Sequence, residues 1–312
     1  MFIWWVAVIG LIILYTLQSL FTKLYTDKYP GNPDMASSVL TVVSGLAVVV
    51  ITFFGFSLCR FTFNGYSLLI GATNAVALYF YNYFIVKASQ KGPYSILMMF
   101  NLAGGIIHPI IASLIMGWDS SWATTFQVVL NLTCIVAIIS AVYLVSKKDD
   151  GGEAKQGITL GFILSCFGLG ISNGVYGIFL TLQQQTEAAG GEGNRDEMII
   201  TTFFFAALIS LVLGLIKEKG AFFSAFRQTR WSLIYLIGTS IVFALAINLI
   251  VIIIPHFDTT ILYTMDNASV LIMSVLISWL FFKERLSKTN VIGIVIMVIA
   301  LVSMNLLPAL VK

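Results

Sequence analysis

Long, almost uncharged apolar runs follow one another along this 312-residue chain, and no other feature limits its fold as strongly. Hydrophobic residues make up 59% of the chain and charged residues 10%, whereas soluble domains average about 45–50% and about 25%. A helix needs about 20 apolar residues to cross the roughly 30 Å of hydrocarbon in a bilayer. Strands of a membrane barrel would instead alternate apolar and polar residues over segments of about ten. The continuous runs therefore predict an all-α integral membrane protein.

The runs divide into ten predicted transmembrane helices, five on each side of one hydrophilic linker. The linker lies in SKKDDGGEAKQG and covers residues 147–157, between a first five-helix unit, 1–146, and a second, 158–312. The N-terminal run lacks a basic leader and a small-residue cleavage site, which indicates a retained first helix rather than a signal peptide. The predicted spans are 2–22, 35–58, 65–87, 93–116, 123–146, 158–183, 198–216, 231–254, 259–282 and 288–307.

Basic residues predict how the chain is oriented in the membrane. Of the 17 Lys and Arg residues, all but Arg60, Arg195 and Lys312 fall in loops that follow odd-numbered predicted spans. Cytoplasmic loops carry the excess of basic residues in membrane proteins. We therefore expect those loops, including the central linker, in the cytoplasm and both termini outside it, with the protein in the cytoplasmic membrane.

The two halves of the chain carry polar residues at matching places. Asn82 precedes Asn101 by 19 residues in the first half, and Asn248 precedes Asp266 by 18 residues in the second. Each pair would end one predicted helix and enter the next at equal depth. Because each half has an odd number of predicted helices, the halves would be inverted relative to each other. Inverted repeats are frequent in secondary transporters, whose substrate sites lie near the midplane at the repeat interface.

Two stretches resemble a known family of membrane proteins. The run LFFKERLSKTNVIGIVIMVIALVSMN resembles the C-terminal end of EamA-type members of the drug/metabolite transporter superfamily, and LYTLQSLFTKL resembles their first helix. Lys283 stands where the family usually has glycine. The residues that fit the pattern are Glu284, Leu286, Ser287 and Gly293. The resemblance implies two inverted five-helix repeats around a central cavity, alternating access, and a lining drawn from spans 1, 3, 4, 6, 8 and 9.

Asp266 lies inside the ninth predicted span, in the sequence YTMDNAS. A charged side chain at a helix centre costs roughly 2.5–3.5 kcal/mol on insertion scales. A water-lined cavity, a partner or a bound proton can offset that cost. Asp266 is therefore predicted either to carry a coupling proton or to act as counter-ion to a cationic substrate. The alternative is a structural aspartate that is hydrogen-bonded to Asn267 or to a hydroxyl group on another helix.

Other polar residues on the predicted spans are candidates for the same cavity. Tyr263 shares a helical face with Asp266. His108 precedes Pro109, which predicts a kink usable as a hinge, and its imidazole can titrate near physiological pH. Amides inside a membrane most often bond one helix to another, whereas several amides and phenols around one cavity would suit a small polar metabolite. The remaining candidates are Asn101, Asn82, Asn248, Tyr15, Asn173, Tyr176 and Tyr79.

The sequence contains none of the common catalytic motifs. It has no HExxH, GxSxG or Walker A pattern, and no acids and histidines clustered at metal-ligand spacing. We therefore expect no enzymatic activity, no cofactor and no metal, and uphill transport would draw on protons or on exchange. The prediction is a secondary active transporter of a small polar or cationic metabolite, a monomer or homodimer in the lipid bilayer that binds no nucleic acid. The alternative is a non-transporting membrane subunit, receptor or lipid-handling scaffold.

Overall fold

Helices make up most of the part of the chain that the structure, a computed structural model, describes. That part comprises residues 2–102, 125–146, 159–188, 190–191, 193–218, 222–223, 226, 232–253, 256–257, 259–283 and 288–310. No β-strand occurs in these ranges. The helices are α1 (Phe2–Lys28), α2 (Pro33–Ile51), α3 (Gly65–Ser89), α4 (94–102), α5 (Thr125–Ser146), α6 (Leu160–Ala188), α7 (Arg195–Glu218), α8 (Leu233–Ile253), α9 (Thr259–Leu280) and α10 (Lys288–Leu310).

Six of the described helices are long and apolar enough to cross a membrane. They are α1, α2 with the π-helical turn Thr52–Phe56 that continues it, α3, α6, α7 and α8. Shorter apolar stretches occur in α5, α9 and α10. These lengths and compositions indicate a multi-pass membrane protein, as the sequence predicts. Most of the fourth predicted span, 93–116, and the linker 147–157 lie outside the described residues, so the count of ten spans stays a prediction.

Local sequence sets where α2 and α3 begin. The Asn32 side chain caps α2 by accepting a hydrogen bond from the Asp34 backbone N–H at 3.0 Å, and Pro33 occupies the first helical turn. A proline there removes no helical hydrogen bond, because the N–H groups of the first turn have no helical acceptor. The Asn64 side chain caps α3 by accepting from the Ser67 backbone N–H at 2.9 Å. Side-chain acceptors of this kind satisfy the free donors at a helix start.

The helix ends meet at two faces of the bundle. At one, Lys23 of α1 donates to the Ser89 carbonyl oxygen at the end of α3, and its ammonium lies 5.9 Å from the centre of the Phe282 ring. At the other, Glu197 of α7 accepts hydrogen bonds from the backbone of the loop that leads from α2 to α3. We call these the Lys23 face and the Glu197 face. α1 and α3 therefore run towards the Lys23 face and α2 towards the Glu197 face, as alternating crossings require.

Closely packed helix pairs build the bundle. α3 packs on α6 and α7, α8 packs on α1 and α2, α2 packs on α7, and α5 packs on α10, while α9 lies against α1 and α10. The α2–α7 contact is tight at Gly45, where a Cβ atom would lie 2.8 Å from the Phe203 carbonyl oxygen and 3.0 Å from Ala207 Cβ. Small residues let helix backbones approach each other in membranes. Glycine at this position therefore sets the distance between α2 and α7.

Two buried apolar clusters fill the interior, one towards each face. The Lys23-side cluster includes Leu20, Tyr25, Ile85, Tyr94, Phe162, Leu169, Val270 and Leu271. The Glu197-side cluster includes Leu11, Leu78, Phe203, Phe243, Ile250 and Leu262.

Two helices extend beyond their predicted spans, which were 2–22 for α1 and 158–183 for α6. α1 continues to Lys28 and α6 to Ala188. The additional turns are polar, and their side chains find partners on other parts of the chain: Lys23 donates to the Ser89 carbonyl oxygen, and the Thr186 and Tyr66 hydroxyls share a hydrogen bond of 2.8 Å. Hydropathy predicts the length of a helix inside hydrocarbon, whereas these contacts stabilise it beyond that limit.

Candidate functional site

A polar layer separates the two apolar clusters. On α9, Asp266 lies one turn from Leu262 of the Glu197-side cluster and one turn from Val270 of the Lys23-side cluster. Three other helices place polar residues between the clusters in the same way. On α1, Tyr15 lies between Leu11 and Leu20, and on α3, Tyr81 and Asn82 lie between Leu78 and Ile85. On α6, Asn173 lies between Leu169 and Tyr176. We define the polar layer as Tyr15, Tyr81, Asn82, Asn101, Asn173 and Asp266.

Hydrogen bonds connect the part of the layer that α3, α4 and α6 contribute. Asn173 Nδ2 donates to the Asn101 carbonyl oxygen at 2.8 Å, and a side-chain hydrogen bond links Tyr81 to Asn101. The Phe100 and Phe167 rings pack edge to face beside them, with 5.1 Å between their centres. Asn101 therefore holds three helices together at this depth.

Asp266 has a different environment. Its side chain is only 7% exposed, and its Oδ1 atom has no hydrogen-bond partner among the described residues. A buried polar atom without a partner costs about 1–3 kcal/mol, and a charged one costs more. The Asp266 carboxyl group can remove that cost by binding a proton or by accepting a hydrogen bond from a solute.

Other buried oxygen atoms on the same helices also lack partners within the described part of the chain. They are Thr16 Oγ1 on α1, Asn101 Oδ1 on α4 and Ser274 Oγ on α9. Buried polar groups in folded proteins are nearly always hydrogen-bonded, so the free oxygens of Asp266 and Asn101 make the polar layer a candidate for ligand binding.

Two predicted site residues lie away from the layer. Asn248, on α8, lies within the Glu197-side cluster and donates to Thr52 Oγ1 at 2.9 Å and to the Ala244 carbonyl oxygen at 2.8 Å. The Tyr79 ring stacks on Tyr83, with 6.4 Å between their centres.

Three predicted site residues remain, Tyr176, His108 and Tyr263. Tyr176 is partly buried against the Glu197-side cluster. His108 and the side chain of Tyr263 lie outside the described residues. The structure thus places Tyr15, Asn82, Asn173 and Asp266 between members of the two apolar clusters and joins Asn101 to Asn173, whereas Asn248 and Tyr79 have other partners.

Tyr81 is a member of the layer that the sequence reading missed. The residues Leu78, Tyr81, Asn82 and Ile85 follow the spacing of a single helical face. That spacing is present in the sequence, where the prediction names Tyr79 and not Tyr81. A helical wheel on α3 would have favoured Tyr81 instead.

Comparison of the chain with known proteins shows a similarity in fold alone. No protein family model matches the chain, and no curated protein matches it in sequence. Fourteen chains of solved structures match it in three dimensions. One of them, described as "Crystal structure of protein", is 12% identical with a TM-score of 0.53, and the match covers 98% of this chain and 98% of that one. The helical arrangement therefore resembles one that has been solved, over nearly the full length of both chains.

Proposed function

We propose that the chain is a secondary active transporter of a small polar or cationic metabolite across the cytoplasmic membrane. The observation that carries the proposal is the buried Asp266 carboxyl group, with a free Oδ1, in a polar layer between two apolar clusters. A carboxyl group inside a membrane is costly and most often serves a substrate or proton pathway. In this proposal Asp266 either carries the coupling proton or acts as counter-ion to the substrate.

The packing of the helices supports the predicted inverted repeat of five and five. If α1–α5 are exchanged with α6–α10 in order, the α3–α6 contact becomes α8–α1, and α3–α7 becomes α8–α2. The same exchange leaves α2–α7 and α5–α10 unchanged. All six of these contacts occur, and they are the most extensive ones among the described helices. A two-fold pattern of this kind is expected of inverted-repeat transporters and agrees with the resemblance to the drug/metabolite transporter superfamily.

The decisive experiment replaces Asp266 with Asn in protein reconstituted into liposomes. A thermal-shift screen against amines, amino acids, nucleosides and vitamins first identifies a ligand, because binding to the folded state raises its apparent stability. If Asp266 carries the proton, Asp266→Asn abolishes uphill uptake of that ligand and retains exchange. If it is the counter-ion, the same variant abolishes binding. Asp34→Asn, at a partly exposed carboxylate, is the control and should leave both intact.

The second candidate is a non-transporting membrane component, in which Asp266 is structural. The burial of Asp266 among packed helices favours it, because a residue sealed in a static core has the same low exposure. This candidate predicts that the reconstituted protein transports none of the screened solutes, in the parent or in Asp266→Asn, and that Asp266→Asn changes only its stability. That result would refute the transporter proposal in both of its versions.

A further inference from the structure

The segment that joins α7 to α8 packs back against the end of α7. Its Phe222 side chain is fully buried, and a Cβ atom at Gly214 would lie 2.4 Å from Phe222 Cε2. Gly214 lies about one turn before Glu218, the last residue of α7. Because Phe222 follows the end of the helix and still contacts Gly214, the chain turns back towards the hydrocarbon instead of extending into water.

Two more phenylalanines of this segment face away from the protein. Phe223 is 68% exposed and Phe226 36% exposed, and their ring centres lie 6.0 Å and 5.4 Å from that of Phe222. Ile216 at the end of α7 and Ile234 at the start of α8 are also exposed. In a membrane protein such isoleucines face lipid, so Phe223 and Phe226 continue a lipid-facing surface between the two helices.

Basic residues surround these phenylalanines in the sequence. The segment KEKGAFFSAFRQTR, residues 217–230, has four basic residues and one acidic residue, which leaves it a net charge of +3. We call it the basic loop. Its basic residues are Lys217, Lys219, Arg227 and Arg230. It follows α7, which begins at the Glu197 face and ends at the opposite one, so the loop lies at the Lys23 face.

This combination of exposed aromatic rings and positive charge matches one kind of binding partner. Interfacial segments place aromatic side chains at the boundary between headgroups and acyl chains and Lys or Arg towards the headgroups. Clusters of about four to eight basic residues next to a transmembrane helix bind anionic phospholipids. A membrane rather than a soluble protein covers Phe223 and Phe226, because Phe222 reaches the depth of Gly214 and the exposed isoleucines continue the same surface.

We propose that the basic loop is a binding surface for anionic phospholipids at the Lys23 face. Phe223 and Phe226 enter the bilayer, and the four basic residues bind the lipid phosphate groups. The basic loops are predicted to be cytoplasmic, so the lipids would be those of the cytoplasmic leaflet. The surface does not depend on the proposed function, because it would act in the same way in a membrane protein that transports nothing.

The test compares how tightly the purified full-length protein binds two lipids. Native mass spectrometry measures binding of phosphatidylglycerol and of phosphatidylcholine with the same acyl chains. Each Lys or Arg near an anionic surface strengthens binding by about fivefold. The parent protein should therefore prefer phosphatidylglycerol by about tenfold or more. The double variant Arg227→Gln with Arg230→Gln should lose most of that preference and bind phosphatidylcholine as the parent does.

Two matched variants separate this surface from a general effect of charge. Lys147→Gln with Lys148→Gln removes the same charge from the linker between the two halves of the chain and should leave the preference unchanged. Arg227→Lys with Arg230→Lys keeps both charges and should retain it. Glycerol 1-phosphate, which offers the phosphate group without acyl chains, should not displace phosphatidylglycerol from the parent protein.

The apolar half of the surface is tested separately. Phe223→Ser with Phe226→Ser should weaken binding of both lipids, because both insert acyl chains beside these rings. If this variant instead binds both lipids as the parent does and changes the protein from a dimer to a monomer, the rings cover a second copy of the chain and the proposal is wrong.

Three other results would also overturn the proposal. The first is a preference for phosphatidylglycerol that survives the loss of both arginines, and the second is an equal loss of preference in the linker variant. The third is displacement of the lipid by glycerol 1-phosphate, which would show a site for free anions. If the arginine variant does not fold, Lys217→Gln with Lys219→Gln gives the same measurement, since Lys217 is exposed at the end of α7.

Discussion

Replacing Glu197 with Gln should destabilise the protein more than any other loss of a single negative charge among its described residues. The Glu197 carboxylate accepts hydrogen bonds from three consecutive backbone N–H groups, those of Thr62, Phe63 and Asn64, and Asn194 Nδ2 donates to it at 3.2 Å. It therefore ties the start of α7 to the loop before α3. Gln has the same shape, but it has no charge and only one acceptor oxygen.

The expected loss follows from those bonds. A hydrogen bond to a charged group contributes about 1.5–3 kcal/mol, and a neutral bond is roughly half as strong. In Glu197→Gln the NH₂ group faces a backbone N–H whichever way the amide is turned, so at least one bond is lost and the others weaken. The sum is about 3 kcal/mol. Since 1 kcal/mol shifts the Tm by about 2–4 °C in chains of 150–250 residues, a fall of roughly 5 °C is expected in this longer one.

The assay is thermal unfolding of purified protein in lipid nanodiscs, followed by tryptophan fluorescence. Asp34→Asn is the matched control, because Asp34 also lies in the first turn of a helix but makes only a 4.0 Å ion pair with Lys87. Both variants lose the same favourable interaction with a helix N-terminus, so their difference isolates the backbone hydrogen bonds. Equal Tm values for Glu197→Gln and Asp34→Asn would refute the reasoning.

Three further predictions concern packing, backbone strain and topology. Gly45→Ala should lose about 1–3 kcal/mol of stability through overpacking against α7. Gly55→Ala is the control, because its Cβ meets nothing within 4 Å. Thermal unfolding compares the two variants, and equal stability would contradict the prediction. Phe63 has a φ of 57°, and a left-handed residue other than glycine costs roughly 1–2 kcal/mol. Phe63→Gly should therefore raise the Tm. A lower Tm would show that backbone strain at Phe63 does not limit stability. Cys59, exposed near the Glu197 face, should react with an impermeant maleimide on intact cells if the basic loops are cytoplasmic, whereas labelling only after lysis would reverse the orientation.

Sequence periodicity predicts most of the helices but not how their faces are turned. Hydropathy places α2 and α3 close to their observed bounds, because the apolar runs and the capping residues Asn32 and Asn64 agree. It misses the last turns of α1 and α6, because those turns depend on partners from distant parts of the chain. Such pairs cannot be read from local patterning.

The candidate site, like the helices, is only partly predictable from the sequence. Asp266 is recognisable from the sequence alone, because an acid in an apolar run has few explanations. The bond from Asn173 to the Asn101 carbonyl oxygen joins residues 72 positions apart, and only packing brings them together. Asn248 is predicted as a cavity residue, and in the structure its two amide hydrogens bind Thr52 and its own helix.

Asn101 and Asp266 differ in their hydrogen bonding, and this difference best separates a structural from a functional role. The predicted repeat makes them equivalent, one in each half. Both side chains have one oxygen without a partner among the described residues, Asn101 Oδ1 and Asp266 Oδ1, but Asn101 is also tied to α3 and α6 through Tyr81 and Asn173. If the two positions were only a shared structural device, both would carry an amide and both would be bonded. A neutral residue that fixes three helices in one half, and an acid with a free oxygen in the other, fits the proposed transporter, in which one half would hold the site in place and the other would bind the moving charge.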